Sequence, residues 1–109
     1  MAGTIEVKRS GKQFMFNVKS TNGRVILTSE RYKSKAGALN GVRSVKTNAR
    51  KKASYDRAKA TNGKAYFCIK AKNNEVIGRS QLYASSSGVS AGIASLQKNA
   101  PGGKIVDLT

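Results

Sequence analysis

The side chains that do most enzyme chemistry are sparse in this sequence and scattered along it. It holds no histidine, one cysteine (Cys68) and five carboxylates, Glu6, Glu30, Asp56, Glu75 and Asp107. Without imidazole there is no His general base, no Ser-His-Asp or Cys-His nucleophile and no His metal ligand. A single thiol excludes an intramolecular disulfide and a Cys-rich zinc site, and Cys68 reads as inert. No two carboxylates are spaced for general acid and base work; Asp56 and Asp107 read as equivalent strand residues that pair with cations or cap backbone. Gly11-Lys12 and Gly63-Lys64 lack the flanking glycines of a phosphate-binding P-loop and read as hairpin turns. These residues argue against an enzyme, and require neither cofactor nor metal.

What the sequence does hold is positive charge. Lys and Arg number 21 against 5 acids, a formal net charge of +16 and a pI near 10.5. Residues 1–52 carry 13 cations and 2 acids, and residues 53–109 carry 8 and 3, so the excess is +11 and +5. Such an excess repels itself in a compact chain unless counterions or a polyanion gather on it. Lys8, Lys19 and Lys70 fall on the solvent parity of strands. Arg31, Lys33 and Lys35 crowd the entry to a helix, and Arg43, Lys46, Arg50, Lys51 and Lys52 follow its outer face and end. These residues suit phosphate-backbone contact with DNA or RNA, non-specific and salt-dependent. No helix-turn-helix, zinc finger or RNP motif argues for base readout. The alternative is a protein-interaction or stress-related accessory domain whose charge serves solubility alone.

The element that must position these cations occurs twice. Tyr32 to Ala49, YKSKAGALNGVRSVKTNA, returns 51 residues later as YASSSGVSAGIASLQKNA from Tyr83 to Ala100. The copies share Tyr32 with Tyr83, Gly37 with Gly88, Gly41 with Gly92, Ser44 with Ser95 and Asn48 with Asn99. Ala38, Val42, Val45 and Ala49 form an apolar helical stripe, matched by Val89, Ile93, Leu96 and Ala100. The glycine, serine and asparagine set forms a second stripe, rotated from the first. Two glycines inside a helix cost about 1 kcal/mol each. Their repetition implies close approach of the helix backbone to sheet or helix, with a ligand-holding polar groove as the other reading. Each tyrosine reads as a ring packed over a helix start, with a base-stacking platform as the alternative. Lys33 and Lys35 become Ala84 and Ser86 in the second copy, so the repeat itself does not need the charge.

Around the helices the chain reads as strands. Thr4 to Lys8 and Phe14 to Val18 alternate apolar and polar residues, and Asn22-Gly23 turns the chain into Val25 to Thr28. Ser34 is a helix N-cap. Ser54 to Ala60, Tyr66 to Ile69 and Val76-Ile77 repeat the strands, Pro101 stops the second helix, and Lys104 to Thr109 closes the chain. The unit is three strands, a helix and a further strand, in repeats of approximately 1–52 and 53–109. A chain of 109 residues suits one domain in which the repeats share a core, since halves of this size bury too little alone. No stretch is apolar enough to span a bilayer and no signal-peptide core is present, so a cytoplasmic protein without membrane contact is expected.

At this level of detail the sequence resembles the YegP-like family of small bacterial and archaeal proteins. The resemblance rests on NGRVILTSE (Asn22 to Glu30), SKAGALNGVRSVKTNA (Ser34 to Ala49), the second-copy pieces VIGRSQLY and GIASLQKNA, and the closing KIVD, and covers essentially the whole chain. It implies an α+β fold: two tandem β3-α-β repeats forming one antiparallel sheet with two helices packed on it, and last strands exchanged between repeats. Such an exchange favours a monomer with pseudo-twofold repeats over an obligate oligomer. The resemblance brings no catalytic residues.

Overall fold

The computed structural model describes residues 2–109. Its elements, in chain order, are β1 (Thr4–Ser10), β2 (Gln13–Lys19), β3 (Val25–Ser29), α1 (Lys35–Asn48), β4 (Tyr55–Lys59), β5 (Ala65–Lys70), β6 (Val76–Ser80), α2 (Ser86–Asn99) and β7 (Lys104–Asp107). A short 3-10 turn, Lys52–Ser54, leads into β4. One seven-stranded sheet runs in the order β4-β5-β6-β3-β2-β1-β7. The repeats meet at its centre, where β3 pairs with β6.

Alternation along the strands decides which face is covered. Ile5, Val7, Phe16, Val18, Leu27, Phe67 and Ile69 are fully buried, and both helices lie over this face. Their apolar stripes supply Ala38, Val42, Val45 and Ala49 from α1 and Val89, Leu96 and Ala100 from α2. Each side chain of valine size or larger so buried contributes about 1.5–3 kcal/mol. The helices start where the sequence caps them: Ser34 and Ser85 Oγ accept from the backbone N–H of Gly37 and Gly88, at 3.0 and 3.3 Å. Asn74, with φ 68°, takes the left-handed turn position that Gly23 and Gly63 hold elsewhere, as asparagine can.

The exchange of last strands is present. β4 follows α1 but pairs with β5 at the far edge, and β7 follows α2 but pairs with β1. Three details differ from expectation. The sheet is mixed, because β7 runs parallel to β1. Its direction follows from where α2 ends: the Lys104 N–H donates to the Gly3 carbonyl at 3.1 Å, so the chain enters beside the start of β1 and continues alongside it. There are seven strands rather than eight, because β4 closes the first repeat and opens the second. Asp56 and Asp107 are not equivalent in space: Asp56 pairs with Lys70 of β5, whereas Asp107 pairs with Lys35 of α1.

Candidate polyanion interface

The end of α1 is the best-defined cationic feature. The Ala49 N–H closes the last helical bond to the Val45 carbonyl, and the Ala49 carbonyl accepts from the Tyr55 hydroxyl at 2.6 Å. The Lys51 N–H donates to the Asn48 carbonyl and the Ser54 N–H to the Lys51 carbonyl, both at 3.0 Å. A turn pinned on both sides therefore holds Arg50, Lys51 and Lys52, all three exposed. Tyr55 is itself locked, edge-on to Phe67 with ring centroids 5.7 Å apart, and burial raises its phenol above the ordinary range. Lys46 lies one turn earlier on the helix. Among the described residues, none of these four cations has a carboxylate within 4.0 Å. Arg43, bonded to Asn40 at 2.9 Å, lines a shallow groove of about 520 Å³ with Ser44, Thr47 and Lys72.

The other sequence-selected cations sit elsewhere. Lys33 and Lys35 stand at the opposite end of α1, about 20 Å away for a 14-residue helix at 1.5 Å per residue. Lys35 is bound to Asp107, whose carboxyl is held well below the usual range first by that hydrogen bond and then by Thr109. Arg31 Nε donates to Ser10 Oγ at 2.7 Å. Lys8 and Lys19 converge on Glu6 at 3.8 and 2.9 Å, and the hydrogen bond from Lys19 lowers the Glu6 carboxyl. The partnership with Asp56 raises the Lys70 ammonium. On the open sheet face, Lys8, Lys19 and Lys70 are thus each engaged by a carboxylate, Glu6 or Asp56. Reasoning from the sequence missed Lys72 and Arg79. Lys72 lies in the β5–β6 turn and meets α1 only through the fold. Arg79 occupies the place of Thr28, which pairs with it across the centre of the sheet.

The repeated Gly, Ser and Asn set has a specific geometry. The Tyr32 ring lies across α1 and stacks on Phe16, with centroids 6.4 Å apart and planes 11° apart. Tyr83 takes the same place over α2. Asn48 Nδ2 donates to the Ser44 carbonyl at 2.8 Å and Oγ at 3.2 Å, and Asn99 does the same to Ser95 at 2.8 and 3.3 Å. These bonds tie each helix to itself at its last turn. The close approach is to a tyrosine ring rather than to a second backbone. Cys68, half-buried on the open face opposite Asp56, has its thiol pushed up by burial, which disfavours the thiolate. No helix of the described residues is long and apolar enough to cross a membrane.

Comparison with known proteins agrees with the duplication. The chain matches the family described as Domain of unknown function (DUF1508) twice, over residues 10–56 and 60–107. It is 44% identical over 110 residues to the UPF0339 protein YegP of Escherichia coli O157:H7, covering all of both chains. It is 46% identical over 109 residues to a UPF0339 protein of Bordetella pertussis, covering 100% of this chain and 98% of the relative. The solution structure of E. coli YegP, described as a protein of unknown function, superposes with a TM-score of 0.94 at 43% identity, over 100% of this chain and 95% of that one. That of a UPF0339 protein from Shewanella oneidensis superposes with a TM-score of 0.93 at 45% identity, over 100% and 93%. With its two matched repeats, its full-length relatives and the same fold, the chain belongs to the UPF0339 family of YegP-like proteins.

Proposed function

We propose that this protein is a non-enzymatic binder of nucleic acid or a similar polyanion, held by phosphate contacts at the end of α1. The observation that carries the reading is the Arg50-Lys51-Lys52 turn, exposed, backed by Lys46 and without a carboxylate partner among the described residues. Arg43 and Lys72 extend it along the adjoining groove. Three of the five carboxylates are engaged by other lysines, Glu6 by Lys19, Asp56 by Lys70 and Asp107 by Lys35 at the start of α1, so the far end of α1 keeps its net charge. Phosphates arriving there release condensed counterions, which supplies affinity without sequence preference. Binding to duplex DNA, single-stranded DNA and RNA across a salt series tests the reading. Tight binding at low salt with a steep decline as salt rises is expected. A flat salt response, or no binding at low salt, rejects it.

A further inference from the structure

The internal duplication exposes an empty seat at one edge of the sheet. Asp56 pairs with Cys68 across β4 and β5 as Glu6 pairs with Asn17 across β1 and β2, and each acid takes the equivalent lysine, Lys70 or Lys19. β4 is therefore the counterpart of β1, with Tyr55 in the place of Ile5 and Arg57 in that of Val7. In the first repeat the outer edge of β1 is covered by β7: Lys104 donates to Gly3, Leu108 donates to the Val7 carbonyl, and Ile105 lies beside Ile5. Asp107, beside Val7, is clasped by Lys35 from the first turn of α1. In the second repeat β4 is the edge strand of the sheet, with no neighbouring strand on its outer side among the described residues.

The space beside that edge is shaped for one. Two adjoining grooves, about 260 and 520 Å³, run between β4 and α2 and are lined by Tyr55, Arg57, Ala58, Val89 and Ile93 among others. The first-turn lysine of α1 is replaced in α2 by Ser86. In its stead Arg57 crosses from the strand to the helix and donates to the Ser86 carbonyl at 3.4 Å and Ser90 Oγ at 2.8 Å. A cation thus stands at the first turn of both helices, on α1 holding a carboxylate and on α2 holding only neutral oxygens. A guanidinium so placed suits a bidentate carboxylate partner.

We infer that the β4 edge is a docking site for an extended segment of a partner protein. The segment would lie parallel to β4, with an apolar residue beside Tyr55 and a carboxylate two residues later on Arg57. The occupant is specified by the filled seat of the first repeat, where Ile105 and Asp107 make those two contacts. Strand addition of this kind draws affinity from backbone bonds and selectivity from alternate side chains. A second copy of this chain is the poorer occupant, because each copy brings a net charge of +16 to the contact.

The probe is the acetylated peptide GGKIVDLT, identical to residues 102–109, titrated into the intact isotope-labelled protein. Saturable amide shifts at Tyr55 and Arg57 and along α2, with β1 unchanged, are expected. A peptide carrying the Asp107→Lys change should bind about tenfold more weakly or worse, as for a lost charge-assisted bond. Four results overturn the inference: no saturable shift on β4, shifts at Ile5 and Val7 instead, equal binding of the charge-reversed peptide, or self-association covering the β4 edge without peptide. Lys52 also lines the larger groove. The two sites are therefore told apart by Arg50 and Lys51, read by the salt series, and by Tyr55, Arg57 and α2, read by the peptide. Failure of one leaves the other standing.

Discussion

A Cβ placed on Gly41 would collide with the Tyr32 hydroxyl oxygen, and one on Gly92 would collide with that of Tyr83. Neither ring can simply swing aside. Tyr32 is stacked on Phe16, the added Cβ would also meet Phe16 at 3.0 Å or Phe67 at 3.1 Å, and each tyrosine backbone is tied by paired bonds to Phe14 or Ala65. In an exposed helix, Gly→Ala stabilises by about 1 kcal/mol. Here overpacking, typically about 1–3 kcal/mol, opposes and outweighs it. Gly41→Ala is expected to lower the unfolding free energy measured in urea, and to raise it in a Tyr32→Ala background, where the ring is gone. A stabilising effect in both backgrounds would show that the ring does not set the glycine.

A second pair of equivalents makes the same kind of test with a hydrogen bond. Ser29 Oγ accepts from the Phe16 N–H at 2.8 Å and donates to the Glu30 carbonyl at 2.7 Å. Ser80 repeats this with Phe67 and Gln81, at 2.9 and 2.8 Å. Each serine completes the ladder where β2 or β5 has lost its partner at the end of β3 or β6. Ser29→Ala leaves a buried N–H unpaired and should cost about 1–3 kcal/mol, with the Phe16 amide losing exchange protection first. Unchanged protection at Phe16 would mean that another group takes over the bond.

The duplication made the architecture legible. Two apolar stripes, two N-cap serines and strands of period two place most of the core without coordinates. The direction of β7 was not legible, because pairing direction depends on where α2 delivers the chain, beside Gly3, and local pattern carries no such information. The shift of 51 residues also misled at one point. β4 registers on β5 one residue out of step with β1 on β2, which matches Asp56 with Glu6 rather than with Asp107. Charge was legible in amount but not in state: Lys8, Lys19 and Lys70 stood out on strand parity, and only the cross-strand positions of Glu6 and Asp56 show them paired.

Acid should weaken the β7 edge. Asp107 has its carboxyl depressed from 3.8 by bonds from Lys35 and Thr109, and Glu6 from 4.5 by Lys19. A carboxyl depressed in the fold adds stability above its unfolded pKa and loses it as pH falls towards the folded value. Stability should therefore be level above about pH 5 and decline below pH 4. Asp107→Asn should flatten part of that decline, and amide exchange in residues 104–108 should rise with acid before exchange in β5. The ion pair is exposed, so its effect at neutral pH is small. An acid limb identical in the Asp107→Asn protein would remove Asp107 from the account.

The division of lysines into paired and unpaired sets separates fold from binding. Replacing Lys19 or Lys70 leaves Glu6 or Asp56 without its nearest cation, and should lower stability slightly while leaving nucleic-acid affinity nearly unchanged. Replacing Arg50, Lys51 and Lys52 with glutamine removes three cations without a carboxylate partner among the described residues, so folding should be indifferent. Each phosphate contact contributes about 0.9 to the slope of log affinity against log salt on duplex DNA. The triple variant should therefore reduce that slope by about 2–3, and a Lys8, Lys19 and Lys70 triple variant by less than 1. Equal losses from both triples would mean that the protein binds through net charge alone, and the α1 end would not be the interface.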